Sequence, residues 1–201
     1  MSHAVWVRVS HWVAAASIAT LAYTGFVMLM THPRLYWGQA GNDLTPALIE
    51  LPISRNYHHG GWDGEARTYN IFNKNGWGRS LHFLAGWCLV IPGVLYVIAG
   101  VAGGHFRRRF WREYGLWQGR TYALVVFVMA PLVVLTGLTM SPAVTAAAPM
   151  LLTVFGGQQS ARTIHFFLFV ALVLFVAGHV AMVIRSGFIR QMRAMTFGGM
   201  R

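Results

Sequence analysis

Between Arg8 and Arg34 the chain contains no Asp, Glu, Lys or Arg, and the stretches from Arg79 to Arg107, Arg120 to Arg162 and Arg162 to Arg185 are equally free of charge. A helix needs about 20 predominantly apolar residues to cross the hydrocarbon core of a bilayer. These runs therefore predict four membrane spans, at about residues 9–30, 80–101, 121–140 and 163–184. Ser141-Pro142 closes the third. Composition agrees: 56% of the residues are apolar or aromatic and 10% are charged. A soluble domain of this size could not hide that much apolar surface, and a disordered chain would need the opposite balance. The expected fold is all-α, an integral membrane four-helix bundle forming a single domain over residues 1–201.

The formal charge of +11 would suggest nucleic acid in a soluble protein. Here the Arg residues cluster in short segments between the spans, where they set topology and meet lipid head groups, so no nucleic-acid partner is expected. With the N-terminus inside, that side holds Arg8, Arg107, Arg108, Arg109, Arg112, Arg120, Arg185, Arg190, Arg193 and Arg201 against Glu113. The other side holds Arg34, Arg55, Arg67, Lys74, Arg79 and Arg162, diluted by Asp43, Glu50, Asp63 and Glu65. The positive-inside rule then predicts a multi-pass protein of the bacterial inner (plasma) membrane with both termini cytoplasmic. The first apolar run is too long for a cleaved signal peptide and is expected to stay attached as the first helix. Residues 143–155, interrupted by Pro149, read as an interfacial or re-entrant segment. Cys88, the single cysteine, reads as a small buried hydrophobe.

Residues 31–79 form an external loop far longer than helix–helix connections usually need. It carries Tyr36, Trp37, Tyr57, Trp62, Tyr69 and Trp77 among Gly, Pro and Asn. It is expected either to dock a partner or to cap the bundle. No internal repeat or low-complexity segment is evident.

Ionisable groups inside spans are functional candidates, and four of the nine His lie there: His11, His82, His165 and His179. His165 and His179 are fourteen residues apart on one helix, about 40° short of four turns and about 21 Å in rise. They face nearly the same way at opposite depths. His11 belongs at the depth of His179 on the cytoplasmic side, and His82 at that of His165 on the periplasmic side. No carboxylate or thiolate accompanies either pair, so a four-ligand zinc site does not fit. Haem iron takes two axial imidazoles, and an apolar bundle accepts the porphyrin. Without a Cys-x-x-Cys-His motif the cofactor is haem b, two per chain, and doubly ligated iron means electron transfer. The iron ligands are therefore expected to be His11 with His179 and His82 with His165.

Gly25, fourteen residues after His11, leaves room for a porphyrin at the other pair's depth. Gly86, Gly93, Gly137 and Gly178 read equally as porphyrin clearance or as small-residue helix packing. Arg8, Arg79 and Arg162 each precede a histidine by three residues. They would pair with haem propionates or anchor helix ends at the interface. His3, His32, His58, His59 and His105 fall in flanks and loops.

Arg8-Val9-Ser10-His11-Trp12, Tyr23-Thr24-Gly25, Gly78-Arg79-Ser80-Leu81-His82, Arg162-Thr163-Ile164-His165 and Gly178-His179 resemble the prokaryotic di-haem cytochrome b family. That family supplies the membrane subunits of formate dehydrogenases, nickel–iron hydrogenases and related oxidoreductases. The resemblance implies two haems b, a quinone as electron carrier and a periplasmic redox subunit of molybdopterin or iron–sulfur type. The long external loop departs from the family's smaller members and resembles subunits serving molybdopterin-type partners. No motif fixes the quinone pocket; Trp111, Arg112, Glu113 and Tyr114 lie near the right face or on the surface. The leading expectation is an electron-transfer subunit linking a periplasmic oxidoreductase to the quinone pool, itself without the catalytic centre. Two others compete: a stand-alone quinone oxidoreductase acting on a small oxidant such as superoxide, and a haem-free anchor or transporter.

Overall fold

A computed structural model describes residues 5–42, 44–53, 75–104 and 116–198. The expectations placed on His3, Arg55, Tyr57, His58, His59, Trp62, Arg67, Tyr69, His105, Arg107 to Arg109 and Trp111 to Tyr114 lie outside these residues. The first helix, α1, runs Val5–Thr31 and the second, α2, Asn75–Ala102. The third crossing is composite: α3 (Leu116–Leu124), a π-helical turn at Val125–Met129, and α4 (Ala130–Thr139). Two short helices follow, α5 (Pro142–Ala147) and α6 (Met150–Val154), in the segment read as interfacial. The last crossing is α7 (Gln158–Arg185), and a short α8 (Phe188–Thr196) follows it. Among the described residues four helices are long and apolar enough to span a membrane, and the chain is a multi-pass membrane protein.

The helices outrun the uncharged stretches at most ends. Charge ends the part that can lie in hydrocarbon, whereas backbone hydrogen bonding carries a helix on into the polar interface. The π turn has a local cause. Pro131 has no N–H to give and its ring crowds the carbonyl four residues back. Widening the preceding turn relieves both, and the Ala130 N–H reaches the Val125 carbonyl five residues earlier.

α1 packs on α2, and α4 on α7. Half of the buried non-glycine side chains among the described residues are small hydroxyls: Ser17, Thr24, Thr31, Thr136, Thr139, Ser160 and Thr163. Large apolar side chains such as Leu84, Leu95, Ile98, Leu174 and Ile184 point outward. This is how helices pack in lipid, where tails are as apolar as Leu and small residues bring backbones close. The same logic corrects the expectation for Cys88, which is exposed on α2. Hydropathy alone cannot tell a lipid-facing position from a protein core.

After α1, described residues of the connection pair through their backbones. Strands β1 (Arg34–Leu35) and β2 (Ile49–Glu50) pair antiparallel, with Arg34 opposite Glu50 and their side chains 3.3 Å apart. Leu35 is fully buried. Residues 36–38 sit on the start of α7. Gly38 accepts from the Gln159 and Ser160 N–H groups and donates to Ser160 Oγ at 2.7 Å, and Thr163 Oγ1 donates to the Tyr36 carbonyl at 2.7 Å. The loop thus satisfies backbone donors that a helix start leaves unpaired. Gly38 and Gly157 meet here, both with φ near +100° (99° and 114°), where only glycine is unstrained.

Candidate functional site

The four helix histidines form two pairs across the gap between the helix pairs. At the end carrying Val5 and α8, here the terminal end, the His11 and His179 ring centroids lie 6.3 Å apart at an interplanar angle of 57°. At the opposite, loop end, His82 and His165 are also 6.3 Å apart, at 59°. Each pair therefore joins a ring from the α1/α2 unit to one from α7. Along α7 the two sites are separated by about 21 Å of helix rise.

The spacing has chemical content. Two neutral imidazoles bound to one metal from opposite sides, with metal–nitrogen bonds of about 2 Å and centroids about 1.1 Å behind each nitrogen, would have centroids about 6.3 Å apart. Direct hydrogen bonding between the rings would bring them closer. Among the described residues no cluster of three or more His, Cys, Asp or Glu exists that could enclose a metal ion. Each site thus brings together two imidazoles, a donor pair that would suit a haem iron.

The loop-end pair is held by hydroxyls. Thr24 Oγ1 lies 2.8 Å from His82 Nδ1, and Thr136 Oγ1 lies 3.1 Å from His165 Nδ1. Gly25 follows the first threonine; a Cβ there would meet His82 Cε1 at 3.5 Å. Gly137 follows the second, and its Cβ would meet His165 Cε1 at 3.3 Å. Gly25 was expected to leave room at this depth; Gly137 is its counterpart on α4. Gly86, Gly93 and Gly178 face open space instead, so none of them closes a helix contact.

These contacts expose a short repeat that the sequence reading missed. Leu21-x-x-Thr24-Gly25-x-x-Met28 matches Val133-x-x-Thr136-Gly137-x-x-Met140, and Arg79-Ser80-Leu81-His82-Phe83 matches Arg162-Thr163-Ile164-His165-Phe166. The signal was present, but the paired segments are only eight and five residues long and unequally spaced. Only the fold shows that each Thr-Gly faces the histidine of its own helix pair.

The terminal-end pair is built differently. Phe175, one turn earlier on α7, stacks on His179 with centroids 6.4 Å apart and planes 23° apart. The Arg8 guanidinium donates to the Thr196 carbonyl at 2.9 Å and Trp12 Nε1 to the Met195 carbonyl at 3.3 Å, tying α1 to α8. These residues, with Val5, Val9 and Val13, line an apolar recess of about 400 Å³. Arg162 donates to the His32 carbonyl and to Gln159, while Arg79 lies exposed at the start of α2. Arg8 and Arg162 therefore each make the helix-end contacts of an anchor.

No solved structure matches the chain. Among curated proteins, a "Putative protein-methionine-sulfoxide reductase subunit YedZ1" from Azospira oryzae (strain ATCC BAA-33 / DSM 13638 / PS) is 26% identical over 204 residues, covering 90% of this chain and 89% of the relative. The family described as prokaryotic cytochrome b561 matches residues 2–198. With four spanning helices and that match over nearly its whole length, the chain belongs to the prokaryotic cytochrome b561 family of haem-binding membrane electron-transfer proteins.

Proposed function

We propose that this chain is a di-haem b electron-transfer subunit, carrying electrons between the quinone pool and a redox partner at the outer face of the bacterial plasma membrane. The observation that carries the reading is the duplicated geometry: two His–His pairs, each at 6.3 Å, one near each end of the bundle. In this reading His11 and His179 hold one haem iron, and His82 and His165 hold the other. A haem at each site would supply a one-electron couple. The chain's own residues orient the ligands, keep the interior apolar and bridge the thickness of the membrane along α7. Iron held by two protein imidazoles would leave no position for substrate. That favours a subunit over a stand-alone enzyme, as does the word subunit in the relative's name.

Quinone exchange belongs at the terminal end, where the recess between α1 and α8 adjoins the helix that carries His11. The partner belongs at the loop end, where Trp37, Leu44 and Leu48 are exposed beside the strand pair. Its chemistry is that of a molybdopterin or iron–sulfur redox subunit, and reduction of oxidised methionine in proteins is the activity the relative's name points to. Under the positive-inside rule Arg185, Arg190 and Arg193 place the terminal end in the cytoplasm.

The test is haem stoichiometry of the purified chain, with quinol-driven reduction followed by absorbance. Two haems b per chain, reduced by quinol, are expected. Full haem retention after replacing all four histidines by Ala would overturn the reading.

A further inference from the structure

Thr24 and Thr136 are completely buried, and each hydroxyl touches a histidine ring nitrogen. A threonine hydroxyl has one proton to give. That of Thr24 goes to the Thr20 carbonyl at 2.7 Å, with Leu21 at 3.3 Å. That of Thr136 goes to the Leu132 carbonyl at 2.8 Å, with Val133 at 3.1 Å. Toward the imidazole each oxygen is therefore left to accept. An accepting hydroxyl beside each Nδ1 thus calls for an N–H there. A neutral imidazole protonated at Nδ1 carries its lone pair on Nε2.

We propose that Thr24 and Thr136 are matched positioning residues for the two loop-end haem ligands. They lock His82 and His165 in the Nδ1–H form, so that Nε2 is presented to iron from both sides. The inference rests on the haem reading above and extends it to residues that never touch the iron. Gly25 and Gly137 complete each cradle: a Cβ at Gly137 would press on His165 Cε1, the carbon between the two ring nitrogens, while one at Gly25 would just reach van der Waals contact with His82 Cε1. The unit is a Thr-Gly step on one helix facing a histidine on its neighbour, built once by α1 and α2 and once by α4 and α7.

A hydrogen bond from Nδ1–H to oxygen puts electron density on the ring and makes Nε2 a better donor. A better donor favours the ferric state, so each threonine holds the loop-end haem's potential down. If instead the hydroxyls only bond back to their own helices, as Thr commonly does in spanning segments, valine would serve as well.

The experiment is redox titration and haem quantification of the full-length chain in detergent, for the parent, Thr24→Val, Thr136→Val, the double variant, and Thr24→Ser with Thr136→Ser. Each valine variant is expected to keep both haems. At a fixed potential, it should raise the ferrous-to-ferric ratio of the loop-end haem about five-fold, the equilibrium worth of one typical hydrogen bond. The double variant should show the two effects multiplied. Serine should restore the parent value, and the terminal-end haem should not move. Loss of the loop-end haem with valine that serine restores supports the same role. Unchanged potentials, equal shifts at both haems, or a defect that serine fails to restore would overturn it. A parent chain with no haem would overturn the haem reading itself, whereas two haems with unmoved potentials would overturn this inference alone.

Discussion

The two histidine pairs share a centroid separation but not a construction. At the loop end, both rings are half-buried, buried threonines hold their Nδ1 atoms, and a strand pair closes over the neighbouring start of α7. At the terminal end, His179 is exposed and its neighbour is the flat face of Phe175. Hydroxyl contacts have direction and fix a ring's rotation, while an aromatic stack limits it only loosely. The difference teaches that directed hydrogen bonds define ring rotation at the loop end, whereas the His179 ring lies against an aromatic face at the terminal end. Under the proposed function, such a division would suit exchange with a fixed partner at the loop end and with a diffusing lipid-phase carrier at the terminal end.

The largest expected effect removes one site and spares the other. His165→Ala should abolish the loop-end haem and His179→Ala the terminal-end haem, each halving bound haem and leaving a distinct spectrum. Identical residual spectra from the two variants would break the comparison at its root.

Next comes the cover of the loop end. A Cβ on Gly157 would lie 2.4 Å from Gly38 backbone atoms, and φ of 114° already disfavours any other residue. Gly157→Ala should therefore cost about 1–3 kcal/mol, the range for backbone strain of this kind. Thermal unfolding should record the loss, and the loop-end haem should dissociate faster while the terminal-end haem keeps its rate.

The two glycine cradles offer a finer grading. Alanine at Gly137 would sit 3.3 Å from His165, tighter than alanine at Gly25, 3.5 Å from His82. Gly137→Ala should lower loop-end haem affinity more than Gly25→Ala does, as measured by haem transfer to an acceptor protein. The reverse order would show that the α1 side is the more tightly fitted.

The smallest effect belongs to Arg79. A cation near the loop-end haem favours the less positive ferrous iron, so Arg79→Gln should lower that haem's potential slightly and leave the other unchanged. No shift in the titration would leave Arg79 only the anchoring role at the start of α2.

Much of the architecture was readable from the chain. Placing a charge in hydrocarbon is so costly that uncharged runs mark spans almost by themselves, and four emerged where the structure has them. The histidines were readable for a related reason, since an ionisable group inside a span stands out against an apolar background. Gly25 was found by counting turns. Its counterpart Gly137 was named only as one of four glycines read equally as porphyrin clearance or helix packing, because no histidine on its own helix sets the register. Thr24 stood among the residues of the family resemblance, but neither it nor Thr136 was read as facing an imidazole. A threonine in a spanning helix satisfies its hydroxyl within its own backbone, so nothing in the sequence marks the two that also face an imidazole.

The sequence by itself determined which segments enter the membrane, which ionisable residues lie there, and how far apart along α7 His165 and His179 stand. These follow from transfer free energy and helix pitch, and both act locally along the chain. Only the tertiary structure decided that Thr24 meets His82 and Thr136 meets His165, that residues 36–38 seat on the start of α7, and that Cys88 faces outward. Those depend on how helices rotate against one another. In a bilayer no hydrophobic gradient fixes that rotation, so small-residue contacts and directed hydrogen bonds decide it.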